Sequence, residues 1–343
     1  MDAPPGTTTS EVTLDELRLA ARNHGLPLEA LRHDLTPAGL HYLLIHYDIP
    51  VVDPAAWRLE IGGAVERPLA FSLGDLRARP AQSRVVTLEC AGNGRARMAP
   101  RPISQPWLSE AVGTAEWTGV PLRVLLDEAG VRDEAVELVF RGLDRGIEGG
   151  EEQDYERSLT VAEARSDDAL LAYAMNGEPL LPQHGFPLRL VIAGWYGMAH
   201  VKWLGAITAV TEPFAGYQQA TGYRMYDADG TPGEPVTRIQ PRSLMVPPGI
   251  PDFLTRRRFV DGPCVLEGRA WSGWAPIASV EVSTDGGATW GPAAVEAPRS
   301  ERGWSRWTFA WDDPAPGEHV LCSRATDGTG RTQPLETPWN LKG

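Results

Sequence analysis

Cys90 ends the apolar run "VVTLEC" and opens the turn "AGNGR", so a thiol stands at a strand end beside two glycines and Arg95. A thiolate is both a nucleophile and a soft metal ligand. Gly92 and Gly94 let the backbone turn tightly and let a bulky group approach it. The charge of Arg95 favours the thiolate. Three readings of Cys90 stand side by side: a buried small hydrophobe, a hydrolytic nucleophile served by His184 or His200, and a metal ligand.

A second group of chemically capable residues lies in "QHGFPLRLVIAGWYGMAHVKWLG". His184, Arg189, His200 and Lys202 fall within nineteen residues of otherwise apolar sequence. Cations in such a setting need an anionic partner. Either some of the 45 carboxylates pair with them internally, or the group forms a fork for phosphate or another anion.

The elements that must position these residues mix helices and strands without a clean βαβ repeat, which predicts an α+β domain. "TLDELRLAARNHG" reads as a capped helix closed by Gly25, and "VPLRVLLDEAGV" as a helix between Pro121 and Gly130. Strands are expected in "GLHYLLIHYDIP", "AWRLEIGG", "SRVVTLEC", "AVELVFRGLD", "GFPLRLVIAGWYGM" and "HVKWLGAITAV". "SLGDLRAR" predicts a short Ser-capped helix, and "TVAEARSDDALLAYAMNG" a helix followed by a strand. "GIEGGEEQDYERSL" reads as a loop. From about Gly230 a Pro- and Gly-rich crossover leads into short alternating strands spaced as in a β-sandwich. Most of the twelve tryptophans lie after residue 260, where they read as sandwich core or as a surface that pairs two subunits.

At 343 residues the chain exceeds one ordinary core, which predicts two domains. A formal net charge of -13 argues against general nucleic-acid binding and requires a locally basic pocket for any anionic substrate. Cys90, Cys264 and Cys322 form neither a disulfide framework nor a zinc pattern, which favours a reducing compartment. The start shows no secretory pattern, and no apolar stretch is long enough to span a bilayer. A complete chain is expected in the cytoplasm, and in the periplasm if an export signal has been removed. No Cys-x-x-Cys-His sequence is present to attach a c-type haem.

Six ordered stretches carry a specific resemblance: "VTLECAGNGR", "LLAYAMNGEPLLPQHGFPLRLV", "GMAHVKWLG", "GRAWSG", "VEVSTDGGATW" and "PWNLKG". Together they resemble the sulfite oxidase family of molybdopterin enzymes. The resemblance implies an α+β molybdenum-cofactor domain (residues 38–232, after a tail and short helix at 1–37). An all-β immunoglobulin-like sandwich that forms a homodimer follows (233–343). It implies molybdenum–molybdopterin as cofactor, with Cys90 as the protein's metal ligand and no haem in this chain. His46, Asp144, His184, Arg189 and Lys202 match positions that bind the pterin and its phosphate. Arg95, Tyr223 and Trp107 match residues around the substrate anion. The implied reaction is sulfite oxidation to sulfate. Electrons pass to a separate acceptor, a cytochrome c being one candidate. A reductase acting on sulfoxides or another sulfur oxyanion is the alternative.

Two departures mark the substrate side. Leu44 stands where the animal and plant sulfite oxidases have an arginine, and "AWSGWAPIAS" lacks another. Either the pocket is less basic, or Arg97, Arg101 or Arg224 substitutes.

Overall fold

Alternating burial along the first two thirds of the chain builds two five-stranded sheets. The structure, a computed structural model, describes residues 7, 8 and 11–343. In one sheet Gln82–Glu89 pairs with Val112–Pro121, which pairs with Ala169–Met175. Glu178–Pro179 and Arg189–Ile192 both add to that third strand. The other sheet runs Leu69–Phe71, Leu59–Gly63, Leu204–Val210, Glu137–Glu148, Glu151–Thr160. There Leu59–Gly63 lies parallel to Leu204–Val210, and the remaining pairs are antiparallel.

The helices are short and stand at predicted places. Thr13 caps Leu14–Arg22 and Ser72 caps Leu73–Arg77, each in a reciprocal capping box. Leu122–Ala129 follows Pro121 and stops at Gly130, whose φ of 67° is left-handed. Its Leu122, Leu125 and Leu126 are fully buried, which stabilises the domain by about 2 kcal/mol per side chain.

The C-terminal domain is a sandwich. Arg242–Met245, Cys264–Trp271, Ser305–Trp311 and Ala294–Val295 form one sheet. Gly291–Pro292, Ile277–Ser283 and Cys322–Asp327 form the other. Leu266, Ala270, Val280, Val282, Trp307 and Ala325 fill the space between them. The tryptophans divide by role. Trp307 is sandwich core, whereas Trp271 and Trp304 pack with Leu26, Leu31, Val112 and Ile239 across the boundary between domains.

Two elements differ from the sequence reading. "GLHYLLIHYDIP" is not a strand: a 3-10 turn at Ala38–Leu40 leads into irregular backbone with one bridge, His24 to Leu43. Consecutive side chains from His41 to Leu44 all line one cleft, which a strand's alternation would forbid. "GIEGGEEQDYERSL" is not a loop. Gly149 and Gly150, both with positive φ, close a long hairpin between Glu137–Glu148 and Glu151–Thr160. The polar content of those strands hid their period.

Candidate active site

The strand Gln82–Glu89 carries Cys90 to the base of a cleft enclosing about 680 Å³ of empty space, its open mouth included. Seven of the nine predicted site residues line it: Cys90, His46, Asp144, His184, Arg189, Lys202 and Tyr223. Arg95 and Trp107 do not line it.

The turn after Cys90 is fixed from several sides. Cys90 N–H donates to Ala111 O at 2.9 Å, and Asn93 N–H to Cys90 O at 3.0 Å. The Asn93 amide bonds Glu89 Oε1 and Ser109 O, and accepts from Ala111 N–H. Gly94 takes a left-handed φ of 102°. A Cβ on Gly92 would lie 2.3 Å from Arg95 Nη2, so the glycine is what lets this guanidinium fold against the loop. Burial pushes the Cys90 thiol up, while Arg95 and the indole of Trp107 pull it back. Trp107 is thus a neighbour of the sulfur from behind the cleft wall. Arg95 donates to Ser104 Oγ at 2.9 Å and to Gly343 O at 3.2 Å, and its Nε is buried without a partner.

The floor carries Arg189 and Lys202, with Asp144 the carboxylate facing them among the described residues. Arg189 is buried, donates only to the backbone oxygens of His184 and His200, and leaves Nε unpartnered. Burial lowers its pKa to about 10. Lys202 Nζ bonds Leu44 O at 2.8 Å and Gln183 O at 3.3 Å, and burial holds it down to about 7. Burial likewise holds His184 and His200 down to about 3, so both are neutral imidazoles. Asp144 faces this group; burial raises it to about 6 and its Oδ1 has no partner. Internal ion pairing therefore fails as an account of Arg189 and Lys202: their bonds go to carbonyls. Buried Arg189 and half-buried Lys202, both held by neutral carbonyl oxygens, form a site for an anion, which would also keep Lys202 protonated.

Across the cleft, His46 Nε2 lies 2.9 Å from Glu148 Oε2. Tyr47 and Gln218 donate to that same oxygen at 2.9 and 2.6 Å. Burial alone would raise Glu148, but these bonds hold its carboxyl below the usual range. Tyr223 ends a π-turn over Gln218–Gly222. Its ring lies 5.5 Å from the Arg157 guanidinium, and burial raises its pKa.

Sequence reasoning missed several residues here. His41, Tyr42, Tyr155 and Met198 also line the cleft. His41 belongs to a stretch misread as a strand, and Tyr155 to one misread as a loop. Arg157 escaped notice because it sits two residues along from Tyr155 in that same polar segment. Of the proposed replacement cations, Arg101 is bound by Glu16, Arg97 is exposed, Arg224 is half-buried, and none lines the cleft. Leu44 does line it.

A hydrolytic Cys–His pair is not formed. His200 uses both ring nitrogens on the backbone of Ile192 and Trp195, and His184 Nε2 is bonded to Ala38 O. Neither imidazole is hydrogen-bonded to Cys90 among the described residues. A thiol with a raised pKa and no base is a poor nucleophile, but a metal can displace its proton.

Among the described residues no three His, Cys, Asp or Glu side chains cluster to hold a bare metal ion. The site instead offers one sulfur, an open cleft, cations bonded only to carbonyls and orphaned polar atoms on Asp144, Arg189 and His41 among the described residues. That donor set fits a metal that arrives with its own organic sulfur ligands and a phosphate tail. Residues 46–218 match the family model for the oxidoreductase molybdopterin binding domain. The chain belongs to the molybdopterin-binding oxidoreductases.

Residues 237–343 match the dimerisation domain that accompanies this family, the Mo-co oxidoreductase dimerisation domain. Among relatives of this molybdopterin-binding chain, mitochondrial sulfite oxidase of Rattus norvegicus is 33% identical over 329 residues, 90% of this chain and 59% of that protein. NADH nitrate reductase of Solanum lycopersicum is 33% identical over 349 residues, 92% of this chain and 38% of that protein. The chain therefore spans well under two thirds of the length of these curated relatives. The crystal structure of the sulfane dehydrogenase SoxCD from Paracoccus pantotrophus superposes with a TM-score of 0.80 at 30% identity, covering 97% of this chain and 81% of that one.

Proposed function

We propose that this chain binds molybdenum–molybdopterin and oxidises sulfite to sulfate. The reaction balances as sulfite plus water giving sulfate, two protons and two electrons. The convergence of Cys90, Tyr223, Arg189 and Lys202 on one cleft, with both cations bonded to carbonyls rather than carboxylates, carries the reading. Similarity to sulfite oxidases, joined by the structural likeness to a sulfane dehydrogenase, supports sulfur chemistry.

When bound, the metal group supplies two-electron oxygen-atom transfer. Cys90 would be its protein ligand. Arg189 and Lys202 would bind the phosphate tail, with His184 and Asp144 contacting the pterin from neighbouring walls. His46, tied to Glu148, would contact the ring system. Tyr223 would donate a hydrogen bond to a substrate oxygen. Arg95 and Trp107 would act through the cysteine loop, holding the sulfur in an electropositive setting. The two electrons would leave singly to a separate acceptor, a small cytochrome being suited to that task. The chain would work as a homodimer through residues 237–343.

One observation favours a second reading. Leu44 lines the cleft without bringing a charge to it, which suits a neutral sulfoxide reduced by an external electron donor. Metal analysis combined with dye-linked assays separates the two. One molybdenum per chain with sulfite-dependent dye reduction supports the first. Molybdenum with sulfoxide-dependent oxidation of a reduced dye, and no sulfite turnover, overturns it.

A further inference from the structure

Arg157 carries a buried charge that nothing in the proposed mechanism uses. It is 3% exposed. Only Tyr155 and Tyr223 act on its charge, so among the described residues no carboxylate balances it. Its Nη1 donates to the backbone oxygen of Gln218, the first residue of the π-turn that ends at Tyr223. Its guanidinium lies over the Tyr223 ring at 5.5 Å from the centroid, and its Nε proton is buried without an acceptor among the described residues. A buried guanidinium satisfied by one carbonyl and one aromatic face is costly to the fold. Such a cation is retained where its field or its grip is needed.

The neighbourhood shows the need. Tyr223 lies within electrostatic range of Cys90, Arg95, Arg157 and Glu148, the last a carboxylate that an incoming anion must also overcome. Leu44 brings no charge to the cleft, the turn after Trp271 brings no arginine, and Arg95 is tied to Ser104 and Gly343. An oxyanion beside Tyr223 would otherwise meet little fixed positive charge.

We propose that Arg157 is the positioning residue for Tyr223 and the charge that replaces the two absent arginines. It clamps the turn through Gln218, holds the phenol ring by its face, and places a fixed cation behind the hydroxyl that meets the substrate oxyanion. This rests on the sulfite-oxidation reading above.

The test uses the metal-loaded protein and its Arg157→Gln, Arg157→Lys and Tyr223→Phe variants, with the Arg157 changes also made in the Tyr223→Phe background. The probes are sulfite turnover by dye reduction and sulfate binding by calorimetry. Arg157→Gln is expected to raise KM for sulfite about tenfold with a smaller change in kcat, and to weaken sulfate binding comparably. Arg157→Lys should recover most of both losses, because it keeps the charge. In the Tyr223→Phe background the Arg157→Gln penalty should shrink to about threefold or less, since the two residues act as a unit. Lysine no better than glutamine, an undiminished penalty in the Tyr223→Phe background, or unchanged sulfate affinity in Arg157→Gln would each overturn the proposal. A wild-type protein that ignores sulfite would overturn the functional reading instead, and the sulfate-binding comparison would then decide the role of Arg157 alone.

Discussion

The indole N–H of Trp271, in the sandwich, donates to Glu89 Oε2 at 2.7 Å, and Glu89 is the residue immediately before Cys90. The other carboxylate oxygen takes Arg242 Nη1 at 2.7 Å and the Asn93 amide at 2.9 Å. Glu89 is 1% exposed, so the C-terminal domain grips the root of the Cys90 loop through a buried charge. Trp271→Phe keeps an aromatic side chain but removes the indole N–H and leaves the carboxylate short of a donor, a loss of about 2 kcal/mol or more with the lost volume. Glu89→Ala strands Arg242 and should cost about 3–5 kcal/mol. Urea denaturation checks both, and molybdenum per chain should fall with stability. Unchanged stability in Glu89→Ala would show that the clamp is not structural.

Cys90→Ser should leave a folded protein. A hydroxyl fits the space of a thiol but is a hard, weakly acidic ligand. Turnover should drop by about three orders of magnitude or more, as expected for loss of the group that fixes the reacting centre. Alkylation of the cofactor-free wild type should be slow, because burial keeps the thiol protonated. Circular dichroism, a sulfite assay and iodoacetamide labelling test these points, and near-normal turnover in Cys90→Ser would remove the ligand assignment.

The cofactor-free protein should lose stability in mild acid. His41, His184 and His200 are held down to about 4, 3 and 3, against an ordinary 6.5. As pH falls below 6.5 the unfolded chain binds three protons that the folded chain refuses, so stability falls. Asp144, raised to about 6 from 3.8, opposes this by taking up a proton in the folded state first. The balance still favours unfolding, each net proton being worth about 1.4 kcal/mol per pH unit. On the alkaline side Lys202, at about 7 when folded against 10.5, should make stability rise between those values. A bound phosphate would hold Lys202 protonated and flatten that rise. Thermal melts of loaded and cofactor-free protein from pH 4.5 to 10 measure both slopes.

Gly92→Ala should separate the loop from its arginine. The backbone at Gly92 is not left-handed, so alanine is conformationally allowed there. Its Cβ would nevertheless strike the end of Arg95 at 2.3 Å and push the guanidinium out. The expected outcome is a folded, metal-loaded protein whose KM for sulfite rises about fivefold, or about 1 kcal/mol of lost electrostatic favour. Unaltered kinetics would show that Arg95 does not serve the site from its present position.

The sequence by itself determined which residues could hold the cofactor and which local elements carry them. Cys90 beside its glycines, and the His184–Lys202 stretch, are legible because residue type and spacing are local properties. Capping boxes at Thr13 and Ser72 and the Pro121–Gly130 helix are legible for the same reason. Tertiary structure decided what those residues face. Whether Arg189 and Lys202 pair with carboxylates or await an anion depends on which of the 45 acidic groups the fold brings near, and it brings only Asp144 into the cleft. The stretch from His41 to Leu44 looks like a strand until its side chains must all serve one cavity. Arg157, 66 residues before Tyr223 in the chain, meets that ring only because the hairpin and the π-turn pack together. Long-range burial and charge compensation are sums over the folded molecule, and no local pattern encodes them.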